Sequence, residues 1–335
     1  MSFGLPYKGS KSSIAKDIIG VLPGGNRLVD LFCGGCAVTD YAMKKTDKFN
    51  RFLINDIDGR NAKTYIRALS GEFRNEERWI SRQDFFKLKE TDDYVRLCFS
   101  FGNDCRTYMY GPQLEPYKEA IHSIVFWEDY SKMEALCPAV VEIAHEYCDG
   151  KDRKGRRLAF GKAVAAHVKE MSSVKYWQSN PMFRAVKVKW SEDRRGFGSC
   201  QWNRGSPLES LERLERLKSM ESLESLGCLE RMQSLGKEAP IVVSTDDYRN
   251  YVYQDGDVVY CDPPYAGTNG YEREFDHEAF WRWCRTRDFP VYVSEYRAPE
   301  DFISIWCKEK RRLFNHRVLS ANAVEHLFLH KKWLA

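Results

Sequence analysis

The sequence predicts an α/β fold: a parallel sheet interrupted by a long, mainly helical insertion. Three observations lead there. Two short apolar runs near the N-terminus are each followed by a helix-length stretch; apolar runs of strand length resume only after residue 240; and the segment between them carries helical periodicity. With 335 residues, 43% of them hydrophobic, the chain can bury a proper core as one large domain or as a domain with a sizeable insertion.

Residues 27 to 33 (RLVDLFC) and 51 to 57 (RFLINDI) read as buried strands, and AVTDYAMKK and GRNAKTYIRAL as the helices after them, giving βαβα. From about 76 to 180 the pattern is helical, with periodic apolar positions in EPYKEAIHSIVFW and SKMEALCPAVVEIAHEY, and the cluster GKDRKGRR breaks it. Residues 206 to 236 are a separate oddity, with Leu or Met at every third position ten times from Leu208 to Leu235. On an α-helix a strict period of 3 winds its apolar stripe around the rod, and long 3₁₀ helices are disfavoured. The run therefore reads as a repeat-expanded insertion, structural or self-associating, without chemistry. Strands are expected again at 240 to 244 (PIVVS), 257 to 261 (DVVYC) and 290 to 294 (PVYVS), with the helix HEAFWRWCR between the last two. RRLFNHRVLS and AVEHLFLHKKW read as a closing hairpin.

The charge is unevenly placed. The whole chain carries 52 Lys and Arg against 48 Asp and Glu, a net +4, yet residues 151 to 200 hold 13 basic and 4 acidic side chains, so this segment is +9 and the remainder −5. Phe160, Tyr176, Trp177, Phe183, Trp190 and Phe197 lie within it. Cations interleaved with flat rings suit a surface that neutralises phosphate and stacks bases, although a solvated basic face would have the same composition. Eleven cysteines, an odd number at irregular spacing, argue against a disulfide framework and for reduced thiols in a cytoplasmic protein. The N-terminus lacks an apolar stretch of signal-peptide length, and no apolar run is long enough to span a membrane, so neither secretion nor membrane insertion is expected.

The sharpest motif is Asp262-Pro263-Pro264-Tyr265, directly after the strand DVVYC and before AGTNG. Two prolines fix φ and remove two backbone donors, leaving rigid carbonyl acceptors beside a carboxylate, with a ring next in line. Such a group suits an exocyclic amino group on a flat base. Its hydrogens would be drawn into two acceptors, the nitrogen lone pair localised, and the nitrogen made able to attack a methyl sulfonium, with no metal required. A Pro-Pro turn capping a helix is the plainer alternative. The second motif is Asp30-Leu31-Phe32-Cys33-Gly34-Gly35-Cys36, between a strand and a helix, where glycines allow close backbone approach to a cofactor. At the end of the second strand, Asp56 is placed to accept from ribose hydroxyls. Nicotinamide dinucleotide binding would look similar, but the three-glycine GxGxxG is missing. Cys33 and Cys36 could also form a redox pair.

Taken in order, these motifs resemble the Dam-type (class D12) N6-adenine DNA methyltransferases. The likeness is carried by Pro6-Tyr7-Lys8-Gly9-Ser10-Lys11, the Asp30 glycine loop, Asp56, the pair Asp247-Tyr248 and the Asp262-Pro263-Pro264-Tyr265 tetrad. Cys36 departs from the small residue common at the third glycine position. The resemblance implies a Rossmann-like methyltransferase sheet, S-adenosylmethionine as cofactor, no metal, double-stranded DNA as partner and no obligatory protein partner. It implies cofactor contacts from Tyr7, Lys11, Asp30, Phe32, Gly34, Asp56 and Asp247, and catalysis by Asp262, Pro263, Pro264 and Tyr265 on a flipped adenine. By the same token residues 1–98 and 240–335 form a discontinuous catalytic domain, 99–205 the DNA-recognition insertion and 206–239 the repeat. Asn103, Arg106, Lys154, Arg156 and Arg157 are the expected DNA contacts. The tetrad alone does not separate adenine N6 in DNA from cytosine N4 or RNA adenine, nor an enzyme from a catalytically silent DNA-binding relative.

Overall fold

The computed structural model describes residues 3–153, 155–160, 211, 213–214, 241–265, 275–310 and 323–334. Two compact units emerge, Met1–Arg74 with Arg213–Ala335, and Asn75–Glu212. The first is an α/β unit whose strands are β1 (Arg27–Asp30), β2 (Arg51–Asn55), β3 (Ile241–Ser244), β4 (Asp257–Cys261), β5 (Val291–Glu295), β6 (Phe302–Lys310) and β7 (Ala323–His330). They form a seven-stranded sheet in the order β3-β2-β1-β4-β5-β7-β6. The first five positions are parallel, and β7 enters antiparallel between β5 and β6. β1 and β4 are buried along their whole length, as parallel strands covered on both faces must be. A buried two-pronged ion pair fixes their register at the first residue of each strand: Arg27 Nε and Nη2 lie 2.8 and 2.6 Å from the Asp257 carboxylate oxygens.

The helices are α1 (Ala15–Val21), α2 (Ala37–Lys45), α3 (Arg60–Ser70) and, after β4, His277–Thr286. The last begins where the Asp276 side chain accepts the Ala279 N–H at 2.9 Å, and it buries Phe280, Trp281, Trp283 and Cys284 against Val259, Val291 and Val293 of the sheet. Cys36 caps the start of α2 and Gly71 the end of α3, both with positive φ.

The second unit is helical over α4 (Arg82–Leu88), α5 (Asp93–Cys98), α6 (Glu115–Trp127), α7 (Ser131–Leu136) and α8 (Pro138–Cys148). Ser81 and Asp92 cap α4 and α5 through their side chains. α6 covers the whole of EPYKEAIHSIVFW, and its buried face carries Ala120, Ile121, Ile124 and Val125. The single stretch expected from 131 to 147 is instead two helices. Pro138 excludes the helical conformation at Cys137, which sits at φ −159°, ψ 76°, and starts α8 afresh.

The closing hairpin also differs from expectation. Its first strand is Phe302–Lys310, which the sequence reading left unassigned, whereas residues 311 to 320, expected to form it, lie outside the described residues. A bulge explains the miss. Ser304 pairs with Phe328 and Trp306 with Leu327, so one extra residue resets the inward-outward alternation in mid-strand. Of the period-3 run only Leu211, Arg213 and Leu214 are described, all helical, and the basic segment beyond Phe160 also lies outside the described residues.

Candidate active site

The order in which the chain adds strands reverses between the parallel neighbours β1 and β4, and the carboxyl ends of parallel strands beside such a switch point form a crevice. Asp30 ends β1, and Asp262 follows β4 immediately. Asp30 is 2% exposed; Thr39 Oγ1 donates to its Oδ2 at 3.0 Å, and the Phe32 backbone N–H also supports the carboxylate. Burial raises the Asp30 carboxyl to about 7 against the Thr39 hydrogen bond, and the neighbouring Asp262 and Asp56 carboxylates add to the rise.

Asp56, just past β2, is held from two sides, with the Gly34 N–H donating to Oδ2 at 3.1 Å and the Asp58 N–H to Oδ1 at 3.2 Å. Burial raises its pKa and those two donors oppose the rise. The glycine pair between Asp30 and Asp56 is covered by Tyr7. A Cβ on Gly35 would stand 3.0 Å from the Tyr7 Cβ, and Gly34 has φ +45° with the Tyr7 ring 3.5 Å from where its Cβ would be. Phe32 belongs to an aromatic cluster, with ring centroids 5.4 Å from Tyr248 and 5.7 Å from Phe280.

The N-terminal segment that carries Tyr7 and Lys11 is tied down along its length. The Leu5 N–H donates to the Gly35 carbonyl at 2.7 Å and the Gly4 N–H to Asp40 at 2.9 Å, and the Phe3 N–H donates to Ser12 Oγ at 2.7 Å. Arg213, from the period-3 run, clamps the same segment: its Nε donates to the Gly4 carbonyl at 2.9 Å, and its Nη2 to the Phe3 carbonyl and, at 3.0 Å, to Ser10 Oγ. Lys11 opens a 3₁₀ turn at the end of this segment, and its side chain is buried at the tetrad. Its Nζ lies 2.9 Å from Asp262 Oδ1, 3.2 Å from Glu325 Oε1 and 4.2 Å from the centroid of the Tyr265 ring. Burial would lower the Lys11 pKa, but Asp262 and Glu325 together raise it, so the ammonium stays charged. The Tyr265 hydroxyl donates to Glu325, and its ring meets Tyr296 edge-on at 4.5 Å.

Lys11, Asp30, Asp56, Asp262 and Tyr265 thus belong to one end of the sheet. Asp247 stands after β3, where it caps a 3₁₀ turn and pairs with Arg249, whose Nε lies 2.8 Å away; that hydrogen bond lowers its pKa. Two residues given no role by the sequence reading hold this arrangement. Buried Asn55 bonds through Nδ2 to the Leu31 and Asp246 carbonyls, both at 3.0 Å, and accepts the Asp246 N–H at 3.0 Å, so one amide fixes the loop after β3 to the end of β1. The other is Glu325 on β7, fully buried. A lone carboxylate in a strand rich in apolar residues, AVEHLFLH, is the sequence signal that could have found it.

Cys33 and Cys36 are free and buried. The Cys36 hydrogen bond, with burial, raises the Cys33 thiol well above its ordinary value, and burial raises Cys36, which leaves them as packing residues.

In the second unit, Asn103 has φ +56° and donates from Nδ2 to the Leu97 carbonyl at 3.0 Å, inside a loop closed by Phe101 N–H to the Thr107 carbonyl at 2.7 Å. Arg106 is exposed on that loop, and Arg157 is half-buried. Arg156 is turned inward, with Nε donating to the Val125 carbonyl at 2.8 Å and Nη1 to the Lys151 carbonyl at 2.6 Å and to Glu128. Lys154 lies outside the described residues.

No helix among the described residues is long and apolar enough to cross a membrane. No curated protein matches the chain. Residues 7–112, which hold Tyr7, Lys11, the Asp30 loop, Asp56, Asn103 and Arg106, match the model of the D12 class N6 adenine-specific DNA methyltransferases, a family of enzymes that methylate adenine in DNA.

Proposed function

We propose that this chain transfers a methyl group from S-adenosylmethionine to N6 of adenine in double-stranded DNA, with the target base flipped out of the stack into the pocket of Asp262, Pro263, Pro264 and Tyr265. The observation that carries this reading is the Asp30 carboxyl, buried at the end of β1 with Asp262 and Asp56 as its charged neighbours. Such a site favours a cation, and a sulfonium with an α-ammonium group is one.

The residues at the carboxyl ends of β1, β2 and β3 fit that cofactor. Asp30 would receive its methionine end, Tyr7, packed over Gly34 and Gly35, would line it, and the fixed Asp56 carboxylate retains lone pairs for ribose hydroxyls. Phe32, Ile57, which is 54% exposed, and Tyr248 offer apolar surface, and Asp247 would accept from the adenine amino group. The cofactor supplies an electrophilic methyl group. At the acceptor side, Asp262 and the Pro263 carbonyl would accept hydrogen bonds from the two N6 hydrogens, which localises the nitrogen lone pair for attack. As the N–C bond forms the S–C bond breaks, S-adenosylhomocysteine departs, and the surplus N6 proton is lost through Asp262 to solvent. Lys11 lies against Asp262 and Tyr265 and belongs to the acceptor pocket more than to the cofactor. Arg106, Arg157, Lys154 and the basic segment beyond would neutralise phosphates, while Asn103 shapes the loop that carries Arg106.

The test is to incubate the purified chain with methyl-labelled S-adenosylmethionine and unmethylated duplex DNA, digest to nucleosides, and locate the label. Label in N6-methyladenine is expected. Label in N4-methylcytosine, label only with RNA, or no transfer despite cofactor binding would overturn the reading. Asp262→Ala should abolish transfer and leave cofactor binding largely intact.

A further inference from the structure

The proposed methyl transfer engages Asp262 and Tyr265 and leaves the second carboxylate of the pocket, Glu325, without a role. Glu325 has no exposure, on a strand flanked by β5 and β6. Burying a carboxylate there strips it of water before any pairing is counted, and an apolar side chain would pack without that cost. The partners are specific: the Tyr265 hydroxyl donates to Oε1, and the Lys11 ammonium stands 3.2 Å from the same atom. The ammonium is also 2.9 Å from Asp262 Oδ1, so one cation is shared by two carboxylates. Asp262 is the one that the proposed function assigns to the amino group of the base. An amino group arriving there competes with Lys11 for the same acceptor. If Lys11 had no other anion, giving up Asp262 would strand a buried charge.

We propose that Glu325 is a positioning residue: it retains the Lys11 ammonium and orients the Tyr265 ring, so that Asp262 is released to the amino group of the target base. This rests on the reading of the pocket as the site of methyl transfer. Glu325 touches neither base nor cofactor in this scheme and acts through two residues that face the base.

The experiment compares the full chain with its Glu325→Gln and Glu325→Asp variants. It uses single-turnover methyl transfer to duplex DNA, calorimetric binding of S-adenosylmethionine, and the ammonium resonance of Lys11 in ¹⁵N-lysine-labelled protein, assigned by its loss in Lys11→Arg. In Glu325→Gln, transfer should fall by about 100-fold, the loss expected when reacting groups are misplaced by about 1 Å. Cofactor affinity should stay unchanged, and the protected Lys11 resonance should be lost. Glu325→Asp keeps the anion and should recover part of both signals; it also serves if Glu325→Gln does not fold. Wild-type transfer rates in both variants, or an unmoved Lys11 resonance, would overturn the proposal. If the wild-type chain transfers nothing to DNA while the resonance still depends on Glu325, the functional reading falls and the placement of Lys11 stands.

Discussion

Asp30 is ordinarily a stronger acid than its position allows. An unfolded aspartate titrates near 4 and the buried one at about 7, so between these values the native state holds a proton that the unfolded chain has lost. Stability contributed by this group is therefore present at low pH and is lost as pH rises through 7, a term of up to about 4 kcal/mol. Asp30→Asn should raise the denaturation midpoint at pH 8 and flatten its pH dependence, as read by denaturant titration. A cation in the site has the opposite preference and favours the ionised form. Affinity for S-adenosylmethionine should accordingly fall by up to about tenfold per unit as pH drops below 7, and Asp30→Asn should bind weakly at every pH. A cofactor affinity without pH dependence would remove Asp30 from the site. This residue was legible in the sequence because the strand-glycine-helix pattern marks one end of a strand. Glu325 was not: its partners lie far along the chain, Tyr265 60 positions earlier and Lys11 near the N-terminus, and a lone carboxylate in AVEHLFLH marks a position without showing that it is buried.

Among the elements, the N-terminal segment has the clearest consequence. It reaches the glycine loop so closely that a Cβ on Gly4, whose φ is +66°, would stand 2.2 Å from the Gly35 carbonyl oxygen. Gly4→Ala should therefore cost a few kcal/mol, or displace the segment with Tyr7 and Lys11. The Arg213 clamp predicts a milder version of the same loss. Arg213→Ala removes donors to Phe3, Gly4 and Ser10, and hydrogen exchange across residues 3 to 12 should accelerate, together with a fall in methyl transfer. Unchanged exchange would show that the clamp does not hold the segment. The period-3 run that reads as chemically inert in the sequence thus contributes at least one arginine to the unit that holds the candidate site. Elements set by hydrophobic periodicity were legible, as α2 and α6 show, because their spacing is their own. The break at Pro138 and the bulge in β6 were not, since one neighbour in each case redirects an otherwise regular pattern.

At the scale of the whole molecule, the net +4 is a basic segment set against an acidic remainder. The remainder includes the carboxylates at the ends of β1, β2 and β4, which favour a cation, and the segment carries charges suited to phosphate. The two halves should therefore separate in experiment. Replacing Arg106, Lys154 and Arg157 with Ala, singly and together, should weaken duplex binding across sequences. Each lost phosphate contact should reduce the slope of log affinity against log salt by about 0.9. Binding of S-adenosylmethionine should not move. Arg156 has the same charge and two neighbours in this set, yet its guanidinium is engaged by the Val125 and Lys151 carbonyls and Glu128. Arg156→Ala should lower the stability of its unit, by about 1 to 3 kcal/mol for the carbonyls left unsatisfied, with the salt slope unchanged. A reduced salt slope for Arg156→Ala, or an unchanged slope for the triple variant, would mean that phosphate is neutralised by other residues.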